Sequence, residues 1–134
     1  MPEDEAAGLL DTSVIIDLNS INASVLPAKI AISTVSLAEI AAGPAATDDV
    51  AERARRQDRL QRVEATFEPI PFDGEAARAY GRIYAAVVAV GRKPRRRLAD
   101  LQIAATALAN DMTLITRKPD YFVGLDDLIR VVAV

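Results

Sequence analysis

The sequence predicts a single α/β domain, a mostly parallel central sheet of four to five strands flanked by helices. Three observations carry this. Short apolar runs alternate along the chain with longer segments whose apolar residues recur at helical spacing. The strand candidates are bounded by turn-forming residues rather than joined by tight hairpin turns. A chain of 134 residues with 51% apolar and 26% charged residues fits one core, able to bury roughly two thirds of its unfolded surface. No internal repeat or low-complexity stretch divides it, so residues 1–134 are expected to form one domain.

The elements follow in order. Ala7 to Leu10 reads as a short buried first strand. Asp11-Thr12-Ser13 offers cap chemistry for a short helix, Val14 to Leu18. After Pro27, Lys29 to Ser33 reads as a second strand. Ser36 with Glu39 three residues on matches a capping box, for a helix ending at about Ala42 before Gly43-Pro44. Asp48 or Asp49 caps a charged helix to about Thr66, whose thin stripe of Val50, Ala54, Leu60 and Val63 leaves it mostly exposed. Phe67 to Pro71 is a short strand candidate. Asp73 caps a helix with Ala76, Tyr80, Ile83 and Val87 on one face, and Gly91 to Arg97 is a basic loop. Leu98 to Asn110 carries Leu101, Ala104, Ala105 and Leu108 at i, i+3, i+4, i+7. Thr113–Thr116 and Leu128–Val134 complete the strands.

Composition removes several chemistries. With no cysteine there are no disulfides, thiolate metal sites or thiol nucleophiles, and with no histidine there is no serine–histidine triad and no imidazole zinc site. Acid–base work falls to carboxylates, Lys, Tyr or a metal ion. No apolar run reaches the roughly 18 residues that span a bilayer. The start, Met1-Pro2-Glu3-Asp4-Glu5, has the wrong sign for a signal peptide, so a cytoplasmic location without membrane attachment is expected. Net charge is −3, yet Arg92, Lys93, Arg95, Arg96 and Arg97 fall in one short segment, which points to phosphate groups as partners.

Four acids stand where such a sheet would gather them. Asp11 ends the first strand, Glu39 lies in the second helix, Asp100 opens the Leu98 helix, and Asp120 follows the Thr113–Thr116 strand. Ligands of parallel sheets sit beyond the carboxyl ends of the strands. Carboxylates crowded there repel one another unless a cation neutralises them, and they offer the hard oxygens preferred by Mg²⁺ and Mn²⁺. Asp11, Asp100 and Asp120 are the candidate ligands, Glu39 could hold a water of the ion or a second ion, and the hydroxyls of Thr12, Ser13 and Thr116 could orient the carboxylates. Each acid also has an ordinary reading: Asp11 as a helix cap, Glu39 as the capping-box partner of Ser36, and Asp100 as a first-turn charge on the helix dipole.

The segments LLDTSVIIDL, VSLAEI, RRRLADLQIAATALANDMTLIT and TRKPDYFVGL, in that order and spacing, resemble the PIN-domain family, and in particular its VapC-type toxins of bacterial toxin–antitoxin pairs. The resemblance implies a Mg²⁺- or Mn²⁺-dependent endoribonuclease on an α/β sandwich. It implies catalytic roles for Asp11, Glu39, Asp100 and Thr116. It implies RNA as substrate, a cognate antitoxin of the VapB type, and a homodimer. The fourth acid departs from the pattern: relatives carry Asn two residues after the Thr and Asp directly before the Phe, where this chain has Lys118 and Tyr121. Asp120 sits one residue early, and a turn tightened by Pro119 would be needed to bring it to the metal. The alternatives are a PIN-like scaffold without activity, or a phosphoacceptor domain of the haloacid-dehalogenase or receiver type. Phosphatases of that type need a second acid two residues after the first, and Ser13 stands there.

Overall fold

A computed structural model describes residues 7–134, so the acidic segment Met1–Glu5 lies outside the described residues. The sheet has four strands, β1 (Gly8–Leu10), β2 (Ile30–Ala31), β3 (Thr113–Thr116) and β4 (Val131–Ala133), in the order β2-β1-β3-β4. Every pairing is parallel, with Leu9 opposite Ala31 on one side and Leu114 on the other. Five helices connect the strands: α1 (Thr12–Ile16), α2 (Thr34–Ala42), α3 (Val50–Thr66), α4 (Gly74–Ala89) and α5 (Leu98–Ala109).

Strand periodicity builds two cores, one on each face of the sheet. Leu9 and Leu114 point to one face, where they join Ile83 and Val87 of α4 and Leu101, Ala104 and Ala105 of α5. Leu10 and Ile115 point to the other, where they meet Val14 and Ile15 of α1, Ile40 of α2 and Val63 of α3. Burial on both faces explains why the central strands are apolar without alternation. The small residues of α5 let it lie close to the sheet and α4, while the charged α3 buries only Val63. Gly8 is required by a close approach: a Cβ there would come within 2.6 Å of the Pro27 ring and 2.9 Å of Ile115 Cγ1.

Two local expectations are corrected. Phe67 to Pro71 is no strand; a single parallel bridge joins Ser33 to Ile70. Ser36 does not cap α2. Ser33 does, its hydroxyl accepting from the Ser36 amide at 3.0 Å, so α2 begins at Thr34 and Glu39 is freed from capping. The basic loop is partly ordered as a 3-10 turn over Pro94–Arg97, which runs directly into α5. Among the described residues no helix is long and apolar enough to cross a membrane.

Candidate active site

The parallel topology aligns the carboxyl ends of β1 and β3, and the two strands deliver Asp11 and Thr116 side by side. Asp11 follows Leu10, is almost fully buried, and its amide donates to the Ile115 carbonyl at 3.0 Å. Its side chain caps α1, Oδ1 accepting from the Val14 amide at 3.1 Å, so the cap reading holds. The same Oδ1 accepts from Ser13 Oγ at 2.6 Å, and Oδ2 accepts from the Thr116 hydroxyl. Both hydroxyls are themselves held from β3's exit: the Arg117 amide donates to Ser13 Oγ at 3.2 Å and the Lys118 amide to Thr116 Oγ1 at 2.9 Å. Two relays from adjacent backbone amides thus fix both oxygens of one buried carboxylate. With two acceptor sites per oxygen, Asp11 retains capacity for a further electropositive partner.

Glu39 projects from the middle of α2 and is exposed. Thr12 Oγ1 lies 2.5 Å from Glu39 Oε1 and 3.0 Å from Ser36 Oγ. A hydroxyl has one hydrogen and an ionised carboxylate has none, so Thr12 donates to Glu39 and accepts from Ser36. These contacts tie Glu39 to Thr12, the residue that follows Asp11.

Asp100 sits in the first turn of α5, half-buried. The helix dipole alone would favour its charge. Instead its pKa is raised to about 6, first by burial, then by the charges of Glu39 and Asp11, with Arg97 and Lys118 pulling the other way. Glu39 and Asp11 therefore stand within electrostatic reach of Asp100, whose own charge the nearby cations do not offset. The donor set is all carboxylate and hydroxyl oxygen, which fits Mg²⁺ or Mn²⁺. The fit is in charge and donor type. Among the described residues, no three acids already converge as a ready-made cage.

Asp120 is not brought to this group. It lies exposed on the 3-10 turn Pro119–Phe122 and is not among the charges acting on Asp100. Phe122, fully buried in the core, anchors that turn. With Phe122 pinned inward, Asp120 faces solvent, and among the described residues only its backbone carbonyl is engaged, accepting from Arg92 Nη1 at 2.5 Å. Tyr121 turns toward the site's edge, where the Arg97 guanidinium carbon lies 3.7 Å from its ring centroid.

The basic segment is split. Arg92, Lys93, Arg96 and Arg97 border a cavity of about 430 Å³, whereas Arg95 does not. Among the described residues none of these five forms an ion pair with an acid; the arginines of α3, by contrast, include Arg55 and Arg56 bound to Glu52 and Arg62 to Asp58. Sequence reading named Ser36, Lys118 and Tyr121 but gave none of them a place in the site. Lys118 had a signal, since it lies two residues beyond Thr116 at the same strand exit.

The PIN domain model matches residues 8–126. Ribonuclease VapC5 of Mycobacterium tuberculosis is 39% identical over 136 aligned residues, covering 94% of this chain and 96% of that protein. The crystal structure of VapBC-5, a member of the VapBC family of toxin–antitoxin systems from M. tuberculosis, superposes with a TM-score of 0.85 at 35% identity, covering 96% of this chain and 99% of that one. FitAcB of Neisseria gonorrhoeae has the same fold, with a TM-score of 0.70 at 25% identity over 92% of this chain and 95% of that one. The order of strands, the acids at their carboxyl ends and a match over most of the length agree: the chain belongs to the PIN domain family.

Proposed function

We propose that this protein is an endoribonuclease of the VapC type, the toxin of a toxin–antitoxin pair, which hydrolyses RNA with a divalent ion held by Asp11, Glu39 and Asp100. The observation that carries the reading is the gathering of Asp11, Glu39 and Asp100 at the carboxyl rim of a parallel sheet, close enough for the first two to act on the third. Support comes from relatives: one similar protein is a ribonuclease, and one similar structure is a member of the VapBC family of toxin–antitoxin systems. A VapB-type antitoxin and a homodimer are the corresponding partners.

When bound, Mg²⁺ or Mn²⁺ supplies Lewis acidity toward the phosphodiester and the attacking water. The chain's own residues do the rest. Ser13, Thr116 and the Val14 amide hold Asp11 in one orientation, so it loses little freedom on meeting a cation. Thr12 turns Glu39 into the same space. Arg97 and Lys118 stand close enough to act on Asp100, and so lie where the negative charge of a phosphate in displacement would grow. The exposed cations of the 92–97 segment draw the RNA backbone to the rim. Asp120 is left out of the ligand set.

The phosphoacceptor alternative gains no observation. Ser13, in the place of its second acid, is spent on orienting Asp11. Retention of three acids with their hydroxyl partners likewise favours an active site over a decayed scaffold. The test is direct. Purified protein, freed of contaminating ribonuclease, should cleave single-stranded RNA in Mn²⁺ or Mg²⁺ and stop in EDTA. Undiminished cleavage in EDTA would contradict the mechanism.

A further inference from the structure

Beside the acids lies a cavity that the metal chemistry does not use. Its volume is about 430 Å³, and it opens between the end of α4, the basic segment and the Pro119–Phe122 turn. Its walls are of two kinds. Val87 and Leu101 are buried and apolar, while Arg92, Lys93, Arg96 and Arg97 are exposed cations. Tyr121 joins the two, half-buried, with the Arg97 guanidinium stacked over its ring at 3.7 Å.

Each feature narrows the ligand. A basic surface meant only for a phosphate backbone has no use for an apolar floor. A purely apolar ligand would have no use for four cations. A planar aromatic group carrying a phosphate satisfies both, and the volume lies within the range of small-ligand sites, about 300–1,000 Å³. The phenol ring and guanidinium plane are the two kinds of platform on which unstacked RNA bases rest. The cavity also adjoins the acids, since Leu101 is the residue after Asp100 and Arg97 borders both.

We propose that this cavity is a nucleotide subsite, in which one unpaired base stacks on the Arg97 guanidinium, itself laid flat on the Tyr121 ring, while Arg92 and Arg96 hold its phosphate. The inference rests on the ribonuclease reading for its biological ligand and deepens it: the nucleotide bound is a neighbour of the scissile phosphate, splayed out of the strand. Tyr121 then becomes a specificity-determining residue. Arg92 is fixed for the task by its bond to the Asp120 carbonyl, which ties the basic segment to the turn that carries Tyr121.

The experiment titrates the whole chain, in EDTA, with adenosine 5′-monophosphate and with ribose 5-phosphate, read by ligand-observed NMR. The two probes share sugar and phosphate and differ in the base. The wild type and Tyr121→Phe should favour the nucleotide by about ten-fold, the scale of one base–aromatic contact. Tyr121→Leu, which keeps apolar packing without a π-face, should bring the two probes within about two-fold. Equal affinities in the wild type, or a nucleotide preference that survives Tyr121→Leu, would overturn the subsite. Failure of the parent reading looks different. A nucleotide preference in a protein that never cleaves RNA with Mn²⁺ supports the subsite and removes the ribonuclease. Metal-dependent cleavage with no nucleotide preference does the reverse.

Discussion

At the scale of single residues, Asp100 shows how position outweighs local preference. A first-turn carboxylate is ordinarily stabilised by its helix, by a few tenths to about 1 kcal/mol. Burial and two neighbouring carboxylates reverse that and raise the pKa to about 6. The native state therefore binds more protons than the unfolded chain between about pH 4 and pH 6. The resulting penalty is absent below the unfolded pKa and fully present above the folded one. Without metal, Asp100→Asn should accordingly be more stable than the wild type at pH 7.5, by on the order of 1–3 kcal/mol. The gain should vanish near pH 4. Urea unfolding in EDTA across that range measures it, and a pH-independent difference would refute the electrostatic account. Asp120 gives the opposite test. Exposed, with its carbonyl engaged, it should tolerate Asp120→Asn with less than about a two-fold loss in RNA cleavage, whereas losing even a group that orients a metal ligand costs of the order of 10-fold to 100-fold. A loss of the latter size would return Asp120 to the site.

At the scale of elements, the strand ends position the chemistry. Asp11 has its orientation because β1 and β3 pair in register, which sets Leu10 opposite Ile115 and brings the amides of residues 117 and 118 over Ser13 and Thr116. That register depends on Gly8, packed against Pro27 and Ile115. Gly8→Ala should cost about 1–3 kcal/mol, the range for overpacking a core. Thermal unfolding checks it, and an unchanged midpoint would mean that the loop at Pro27 yields freely. The helices and all four strands were legible from periodicity and caps, with Phe67 to Pro71 read as one strand too many: Asp11, Asp49 and Asp73 each accept the first-turn amides their positions promise. The α2 start was not, because Ser33 and Ser36 are both good caps, and the choice between them is made by tertiary contact. Ser36 is buried against Thr12, which leaves only Ser33 free to cap. Glu39 changed its role for the same reason. The turn at Pro119–Phe122 was illegible too, since its phase is set by where the Phe122 ring finds core space rather than by Pro119.

At the scale of the whole molecule, charge is segregated despite a net value of only −3. Acids gather at the carboxyl rim, while the exposed cations of residues 92–97 stand beside them. The strand order could not be read from the sequence, yet it decides which loops meet. With β1 and β3 central, residues 11 and 116 become neighbours across 105 positions of chain. The central claim is that Asp11, Glu39 and Asp100 act together as one divalent-ion site. Calorimetric titration with Mn²⁺ at pH 6.0 and pH 7.5, in buffers of different ionisation heat, tests it most directly. The wild type should bind Mn²⁺ with release of a fraction of a proton at pH 6.0, where Asp100 is partly protonated, and with little release at pH 7.5. Folded Asp11→Asn and Asp100→Asn proteins should lose most of that affinity. Mn²⁺ binding that is unchanged in both variants would contradict the account.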